Sequence, residues 1–270
     1  MNANTLDQRV IVIVGGTTGL GLSGALACVA QGAKVVVVGR NAESADAAVA
    51  QMGKQNAQAI VGDATDSQTA PRAIAQALET FGRFDGLYHV AGGSGRRFGD
   101  GPLHELTDEG IQKTLDLNLM SMMRSNRAAI QSFMERNVPG VVLNMGSVLG
   151  FSPSPQFFVT HAYAAAKSAA VGFTKSCAAY YAEHGVRFNV IAPALVETPM
   201  AQRAADDDII QQFIRTKQPL DGGRIGRPDD LDAGAVFLLS DQSKFVTGQT
   251  LVIDGGWTVS EGQIPEESQR

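Results

Sequence analysis

The chain has 270 residues, of which 44% are hydrophobic, and this length and composition suit one large domain with a substantial core. A net charge of −5 and an isoelectric point near 5.4 leave no excess of positive charge for binding nucleic acid or an anionic membrane. Cys28 and Cys177 fall within apolar helical patterns, so we expect buried thiols in a reducing compartment rather than a disulfide. The N-terminus lacks the basic and apolar parts of a signal peptide, and no apolar run approaches the roughly 20 residues that span a bilayer. We therefore expect a cytoplasmic protein that binds neither nucleic acid nor a membrane.

Short apolar runs that predict strands alternate with helical patterns from one end of the chain to the other. The predicted strands cover residues 9–14, 34–39, 57–62, 86–90, 140–145, 187–191 and 250–253. The predicted helices cover residues 20–31, 42–54, 67–80, 108–136, 162–184 and 229–239. The second strand is a run of valines without polar alternation, which indicates a strand buried on both faces. This order predicts an α/β fold of the Rossmann type, a doubly wound parallel sheet of about seven strands with helices on both faces.

No linker, repeat or low-complexity segment divides the chain, so we predict one domain over residues 1–260 and a polar tail over residues 261–270. Two stretches interrupt the alternation, at residues 92–102 and 195–228. Ligands of open α/β sheets bind outside the carboxyl ends of the strands, where such loops form pocket walls. The alternative is that both stretches are mobile surface loops.

Three glycines follow the first predicted strand, where the chain turns into the first helix. Gly15, Gly19 and Gly21 permit a tight turn and a close approach of the backbone to a ligand. The N-terminus of the following helix presents free N–H groups and the positive end of its dipole, which suits the pyrophosphate of a dinucleotide.

Tyr163 and Lys167 lie four residues apart in an alanine-rich helical stretch, so both side chains project from one face of the helix. A free phenol has a pKa of about 10, and an adjacent ammonium favours the phenolate and lowers that pKa. Such a phenol can pass a proton to or from a substrate oxygen while a hydride moves. Together with the glycine turn upstream, this pair predicts an oxidoreductase.

The glycine spacing and the Tyr-x-x-x-Lys pair together resemble the short-chain dehydrogenase/reductase family, in its single-domain branch. The resemblance extends from about residue 9 to residue 257, and further family motifs follow in the expected order. They are Asp63 in Gly62-Asp63-Ala64, Ala91-Gly92, Asn118, Ser147, Pro193, Thr198, Thr247-Gly248-Gln249 and Asp254-Gly255-Gly256. The chain departs from the family pattern at Val14, Val90 and Ala194, none of which is a catalytic position.

The resemblance implies a nicotinamide dinucleotide as cofactor, a small-molecule carbonyl compound or alcohol as substrate, and no metal. It implies that Tyr163 is the general acid and base, that Lys167 stabilises the phenolate, and that Ser147 orients the substrate oxygen. Asn118 resembles the family asparagine that holds a water between the lysine and solvent, with a purely structural hydrogen bond as the alternative. The residues implied to contact the cofactor are Gly15, Thr17, Thr18, Gly19, Leu20, Gly21, Arg40, Asn41, Asp63, Ala64, Ala91, Gly92, Tyr163, Lys167, Pro193, Val196 and Thr198.

The end of the second strand bears on the choice between NADP(H) and NAD(H). An acidic residue there binds the ribose hydroxyls of NAD and repels a 2′-phosphate, whereas an arginine pairs with that phosphate. The chain has no carboxylate at this point, and Arg40 follows the strand directly. We therefore expect NADP(H) to be favoured over NAD(H). The alternative is that Arg40 is a solvated charge in an NAD enzyme.

Candidate substrate-facing residues lie in the two irregular stretches and in the segment between Ser147 and Tyr163. They are Ser94, Arg96, Arg97, Leu149, Phe151, Phe157, Phe158, His161 and the segment 195–218. The phenylalanines favour an apolar or ring-containing substrate, whereas Arg96 and Arg97 favour a carboxylate or phosphate. The alternative for these arginines is exposure to water.

Two other functions stay open from the sequence. One is the reduction of a 3-oxoacyl thioester on acyl-carrier protein, although residues 176–181 offer no cation to an acidic carrier. The other is a non-catalytic nucleotide-binding protein, which the intact set of Asn118, Ser147, Tyr163 and Lys167 disfavours. The helices predicted at 108–136 and 162–184 pair between subunits in the resembled family, so we expect a homotetramer or a homodimer.

Overall fold

We describe the protein from a computed structural model over residues 5–198 and 201–264, without the side chains of Gln202 and Ala205. The strands are β1 Val10–Val14, β2 Lys34–Gly39, β3 Ala57–Val61, β4 Gly86–His89, β5 Gly140–Met145, β6 Val186–Pro193 and β7 Thr250–Ile253. They form one parallel sheet in the order β3-β2-β1-β4-β5-β6-β7. The predicted Rossmann-type sheet is therefore confirmed, and each strand boundary lies within two residues of its prediction.

The helices are α1 Gly19–Ala30, α2 Ala42–Met52, α3 Thr69–Phe81, α4 Asp108–Leu115, α5 Ser121–Arg136, α6 His161–Tyr181, α7 Gln202–Ala205, α8 Asp208–Lys217 and α9 Asp232–Leu239. Two differences from prediction stand out. The single helix predicted over residues 108–136 is interrupted by a π-helical turn, Asp116–Met120, between α4 and α5. The stretch 195–228, predicted as irregular, contains α7 and α8.

The two faces of the sheet bury alternate residues of each central strand. In β1, Ile11 and Ile13 pack in a cluster with residues of α1, α2 and α9, whereas Val10, Val12 and Val14 pack with residues of α3, α5 and α6. This alternation explains why a strand of consecutive branched residues is stable only with a helical layer on each face.

A third apolar cluster lies outside both sheet faces, at the carboxyl ends of the strands. It contains Val148, which follows β5, Ile210 and Phe213 of α8, and Trp257, which follows β7. The cluster forms a cap over one end of the sheet.

The strand order reverses between β1 and β4, and a crevice at the carboxyl edge is the expected ligand site at such a point. The N–H of Gly15 donates to the carbonyl oxygen of Val38 at 2.9 Å, and the N–H of Ala91 donates to that of Val14 at 2.8 Å. Loops from three strands therefore meet at this edge. Among the described helices, none is long and apolar enough to cross a membrane.

Candidate active site

The turn between β1 and α1 is built on glycines. Gly15 and Gly19 have φ angles of +87° and +53°, which residues with side chains rarely adopt. A Cβ on Gly21 would lie 1.9 Å from the carbonyl oxygen of Gly15, so the helix starts directly against the turn. Within this described turn, the side chain of Thr18 makes no capping bond and the start of α1 carries no acidic side chain. The first N–H groups of α1 therefore suit a pyrophosphate.

The other predicted residues of this turn differ in exposure. Thr18 is exposed and Leu20 is half-buried, so both can border a ligand. Thr17 is 7% exposed and packs against the end of β2, because a Cβ on Gly39 would lie 2.1 Å from its Oγ1.

Replacing Gly21 with alanine is expected to abolish measurable nucleotide binding. The added Cβ collides with backbone, and relieving the collision opens the turn that is predicted to face the pyrophosphate. Nucleotide titration measures the loss of binding, and thermal unfolding measures the effect of the collision on stability. Gly172→Ala in α6 is the matched control, since its Cβ would meet no described atom outside its own helix within 4 Å. A Gly21→Ala protein that binds nucleotide as well as the Gly172→Ala protein would contradict the assignment.

A cavity of about 370 Å³ lies beside the ends of β2 and β3. Arg40 and Asp63, which follow those strands, line it together with Arg97 and Lys113. Burial raises the pKa of the Asp63 carboxyl, but two hydrogen bonds from Thr65 and the charges of Arg40 and Arg97 outweigh it and lower that pKa. The cavity thus brings the carboxylate of Asp63 together with several cationic side chains, next to the glycine turn.

Two residues around this cavity make contacts that the sequence did not predict. Asn41, predicted to contact the cofactor, caps α2 by accepting a bond from the N–H of Ser44 at 2.8 Å. Arg97, a candidate substrate-facing residue, has its guanidinium 4.6 Å from the centre of the Phe98 ring and lines the cavity. Lys113 was missed because α4 reaches this cavity only through the tertiary fold.

The segment after β4 is fastened by Asn118, which lies in the π-helical turn. Its Oδ1 accepts a bond from the N–H of Gly93, and its Nδ2 donates to the carbonyl oxygens of Gly93 and Thr114, each at 2.9 Å. A Cβ on Gly92 would lie 2.9 Å from Oδ1 of Asn118 and 3.5 Å from Nζ of Lys167. The structural hydrogen bond considered for Asn118 is therefore present, and it places Asn118 beside Lys167.

Ser147, Tyr163 and Lys167 come together at the carboxyl edge. Ser147 follows β5, and its hydroxyl is hydrogen-bonded to the phenol of Tyr163 near the start of α6. Lys167 is 3% exposed, and its Nζ lies 5.5 Å from the centre of the Tyr163 ring. The same Nζ donates to the carbonyl oxygen of Met145 at 2.8 Å. The three side chains predicted from separate motifs thus form one group.

The pKa of the Tyr163 phenol differs from the value expected from the sequence. Burial raises the pKa of the Tyr163 phenol, and the hydrogen bond from Ser147 opposes that rise. Burial lowers the pKa of Lys167 to about 8. The lowering of the phenol pKa expected from an adjacent ammonium is not seen, because burial is the largest influence on that pKa and raises it.

Asp100 joins the segment after β4 to the start of α6. Its Oδ1 accepts a bond from the N–H of Ala162 at 3.0 Å, and its Oδ2 accepts one from the N–H of Tyr163 at 2.8 Å. Asp100 is 3% exposed. Thr160, the N-cap residue, makes no capping bond within the described structure. A carboxylate from a distant loop therefore caps the helix that carries Tyr163.

The candidate substrate-facing aromatic residues divide into two groups. The ring of Phe157 lies 5.0 Å from that of Phe213, and the ring of Phe158 lies 5.6 Å from that of Trp257, so both belong to the apolar cap. Phe151 is 47% exposed. The other candidates are not aromatic-cluster residues. Leu149 packs against the cap, and Ser94 accepts a bond from the N–H of Arg96 at 3.3 Å. His161 is exposed at the first position of α6.

The segment after β6 forms the remaining wall. Pro193 ends β6, Val196 pairs with Gly226, and Oγ1 of Thr198 donates to the carbonyl oxygen of Val196 at 3.4 Å. Residues 199 and 200 of the predicted substrate-facing segment lie outside the described residues. Beyond them, Gln263 docks onto α8 by donating its N–H to Oγ1 of Thr216 at 2.7 Å, although it belongs to the predicted tail.

Comparison with known proteins identifies the family of the chain. A family profile described as enoyl-(acyl carrier protein) reductase matches residues 14–258. The chain is 34% identical over 254 residues to a 2,5-dichloro-2,5-cyclohexadiene-1,4-diol dehydrogenase of Sphingobium indicum, covering 94% of this chain and 98% of that protein. The chain belongs to the short-chain dehydrogenase/reductase family. The resemblance stated from the sequence is confirmed.

Further relatives agree with this membership. This short-chain dehydrogenase/reductase is 34% identical over 262 residues to 2-(S)-hydroxypropyl-CoM dehydrogenase 3 of Xanthobacter autotrophicus, covering 95% of this chain and 99% of that protein. A solved short-chain type dehydrogenase/reductase from Mycobacterium ulcerans superposes with a TM-score of 0.86 at 29% identity, covering 95% of this chain and 92% of that one. The protein is therefore an oxidoreductase acting on CH–OH or C=O groups, and its family implies a nicotinamide cofactor.

Proposed function

We propose that this short-chain dehydrogenase/reductase interconverts a carbonyl compound and a secondary alcohol, with Tyr163 transferring the proton. The observation that carries the proposal is the hydrogen-bonded pair of Ser147 and Tyr163 beside buried Lys167. A bound nicotinamide nucleotide supplies or accepts the hydride. In the reducing direction, the phenol of Tyr163 gives its proton to the carbonyl oxygen as that oxygen becomes the alcohol oxygen. The hydroxyl of Ser147 donates a hydrogen bond to the same oxygen and orients it.

Lys167 and Asn118 support this proton transfer. The ammonium of Lys167 stabilises the phenolate that remains after Tyr163 has given up its proton. Asn118 holds Gly93 and the π-helical turn against Lys167, and we assign it the resupply of protons through a water at this turn. In the oxidising direction, the same groups take the proton from the alcohol.

The nucleotide preference is proposed as NADP(H) over NAD(H). The glycine turn suits the pyrophosphate, and the remaining cofactor contacts implied by the family lie along the same edge. Arg40 lies exposed at the end of β2 and lines the cavity that Asp63 and Arg97 share. An arginine at this point pairs with a 2′-phosphate.

Replacing Arg40 with aspartate is expected to reverse this preference. The carboxylate repels a 2′-phosphate and accepts bonds from ribose hydroxyls, so the KM for NADPH rises by about tenfold to a hundredfold while that for NADH stays or falls. Steady-state kinetics with both nucleotides measures the effect, and the NADH reaction is the internal control. An unchanged ratio of the two KM values would remove Arg40 from the phosphate site.

The proposed reaction is tested by the change in nicotinamide absorbance over a panel of substrates. The panel contains cyclic ketones, sugar-like ketones, keto acids, the matching secondary alcohols and a 3-oxoacyl thioester. The hydroxypropyl and diol groups in the names of the two dehydrogenase relatives support secondary alcohols as the reduced partner. Turnover of at least one carbonyl–alcohol pair is expected, and failure of the whole panel with both nucleotides would overturn the proposal.

Reduction of a 3-oxoacyl thioester is the second candidate, favoured by the description of the matching family profile. The exposed face of α6 after Lys175 offers no cation over residues 176–181 for an acidic carrier protein. A preference for the thioester over simple ketones would establish this second candidate.

We also infer a homotetramer or homodimer formed through α5 and α6. A groove of about 550 Å³ between these helices is lined largely by apolar side chains, among them Met123, Ile130 and Phe173. Light scattering after size exclusion measures the mass, and a monomer would overturn this assignment.

A further inference from the structure

We propose that Arg96 and Arg203 form a subsite for an oxyanion carried by the substrate, which is a carboxylate, a sulfonate or a phosphate. This inference rests on the proposed carbonyl–alcohol reaction and names the class of compound that the site takes. It also assigns different partners to Arg96 and Arg97, two adjacent arginines whose role the sequence left open.

The guanidinium groups of two exposed arginines converge on one neutral oxygen. Nη2 of Arg96 donates to the carbonyl oxygen of Phe157 at 3.0 Å, and Nη2 of Arg203 donates to the same oxygen at 3.2 Å. Each guanidinium carries five N–H donors, and one carbonyl oxygen accepts few of them. Each guanidinium is thus held by one bond, and the hydrogen bonds of the described residues include no second acceptor for it.

The positive charge of this pair is poorly balanced. Among the ion pairs of the described residues, none joins Arg96 or Arg203 to a carboxylate within 4 Å. Burial and the like charge of Arg203 lower the pKa of Arg96, and Asp100 opposes this only in part. Both oxygens of Asp100 already accept bonds from N–H groups of α6. An oxyanion between the guanidiniums would supply the missing charge and accept several charge-assisted bonds.

The position of the pair suits a substrate group at a distance from the reacting carbon. Arg96 lies in the short helix Gly95–Phe98, four residues before Asp100, which binds the N–H of Tyr163. Phe157 lies shortly before α6, and its ring packs on Phe213 of α8. The adjacent Arg97 lines the cavity of Arg40 and Asp63, so the two arginines serve different pockets.

The kinetic test compares each acid with its neutral methyl ester. The panel contains a keto carboxylate, a keto sulfonate and a keto phosphate, and kcat/KM is measured for each acid and its ester. Wild-type protein is expected to favour at least one acid by about tenfold or more, and the group with the largest ratio identifies the oxyanion. Arg96→Gln and Arg203→Gln each reduce that ratio through KM, and the double variant brings it close to one while the esters are unaffected.

Lys244→Gln is the matched control, because it removes one exposed positive charge just before β7, at the opposite edge of the sheet. Its acid-to-ester ratio is expected to equal that of the wild type. Equal use of acids and esters by the wild type, or a ratio that Lys244→Gln lowers as much as Arg96→Gln does, would overturn the subsite.

A binding measurement separates the subsite from the reaction. Trp257 is the single tryptophan of the chain and packs against Phe158 and Phe213, and Phe213 in turn packs on the ring of Phe157. Titration with the three keto acids is expected to change its fluorescence saturably in the wild type and in Tyr163→Phe, but not in the Arg96→Gln/Arg203→Gln variant. If no panel compound turns over, the proposed reaction fails, and saturable binding lost in the double variant still supports the subsite. Absence of saturable binding in the wild type overturns it.

Discussion

Replacing Tyr163 with phenylalanine is expected to lower kcat by about 10²–10⁴-fold, because no other described group holds a transferable proton hydrogen-bonded to Ser147. The ring of phenylalanine fills the same space, so nucleotide binding and thermal stability are expected to stay close to those of the wild type. Steady-state kinetics, nucleotide titration and thermal unfolding on one preparation measure all three.

Tyr180→Phe is the matched control for this variant. Tyr180 lies on the same helix and is 65% exposed, so losing its hydroxyl leaves turnover unchanged. Two results would contradict the role of Tyr163. One is a Tyr163→Phe protein that retains at least a tenth of wild-type kcat, and the other is an equal loss in both variants.

Replacing Asp100 with alanine is expected to reduce both stability and turnover. The buried N–H groups of Ala162 and Tyr163 lose charged acceptors, which lowers the free energy of unfolding by about 3 kcal/mol or more. The first turn of α6 loosens, and small displacements of a reacting group are costly, so kcat falls by about tenfold or more. Nucleotide KM changes little, because the glycine turn lies on another part of the sheet edge.

Asp100→Asn is expected to be intermediate, since an amide keeps one acceptor and turns a donor toward the second N–H. Thr160→Ala is the control at the same helix end, because Thr160 makes no capping bond in the described structure. Denaturant unfolding and steady-state kinetics measure the series. Equal losses in Asp100→Ala and Thr160→Ala would show that Asp100 has no special part in holding α6.

The sheet and the main site groups could be predicted because their signals are local. Apolar runs such as β2 predict buried strands, and glycines between β1 and α1 predict a tight turn. Ser147, Tyr163 and Lys167 belong to family motifs at the ends of predicted elements, and the fold brings those ends to one edge. No knowledge of long-range contacts was needed for any of them.

Other features depend on contacts that the local pattern does not carry. Asp100 caps α6, which begins at His161, 61 positions later in the chain. Arg97 lines the same cavity as Arg40 and Asp63, which are distant from it in the sequence. The raised pKa of Tyr163 comes from burial, which the spacing to Lys167 does not reveal.

Helix α8 was missed for a different reason. Ile210, Phe213 and Ile214 have the spacing of a helical apolar face, and Asp207 caps the helix with bonds to two backbone N–H groups. These signals were present, but the charged residues just before them favoured an irregular loop. In the π-helical turn, Nδ2 of Asn118 donates to the carbonyl oxygen of Thr114 in the preceding helix and to that of Gly93 in the loop after β4, and the second of these contacts is long-range.

The order of the strands has a consequence for how the chain is assembled during synthesis. β2 and β3 add in turn to one side of β1, and β4, β5, β6 and β7 add in chain order to the other side. Each new strand therefore finds its neighbour already made when it leaves the ribosome, and no earlier pairing has to reopen. The glycine turn, Arg40 and Asp63 have all emerged once β4 has been made, before Ser147, Tyr163 and Lys167 have been translated.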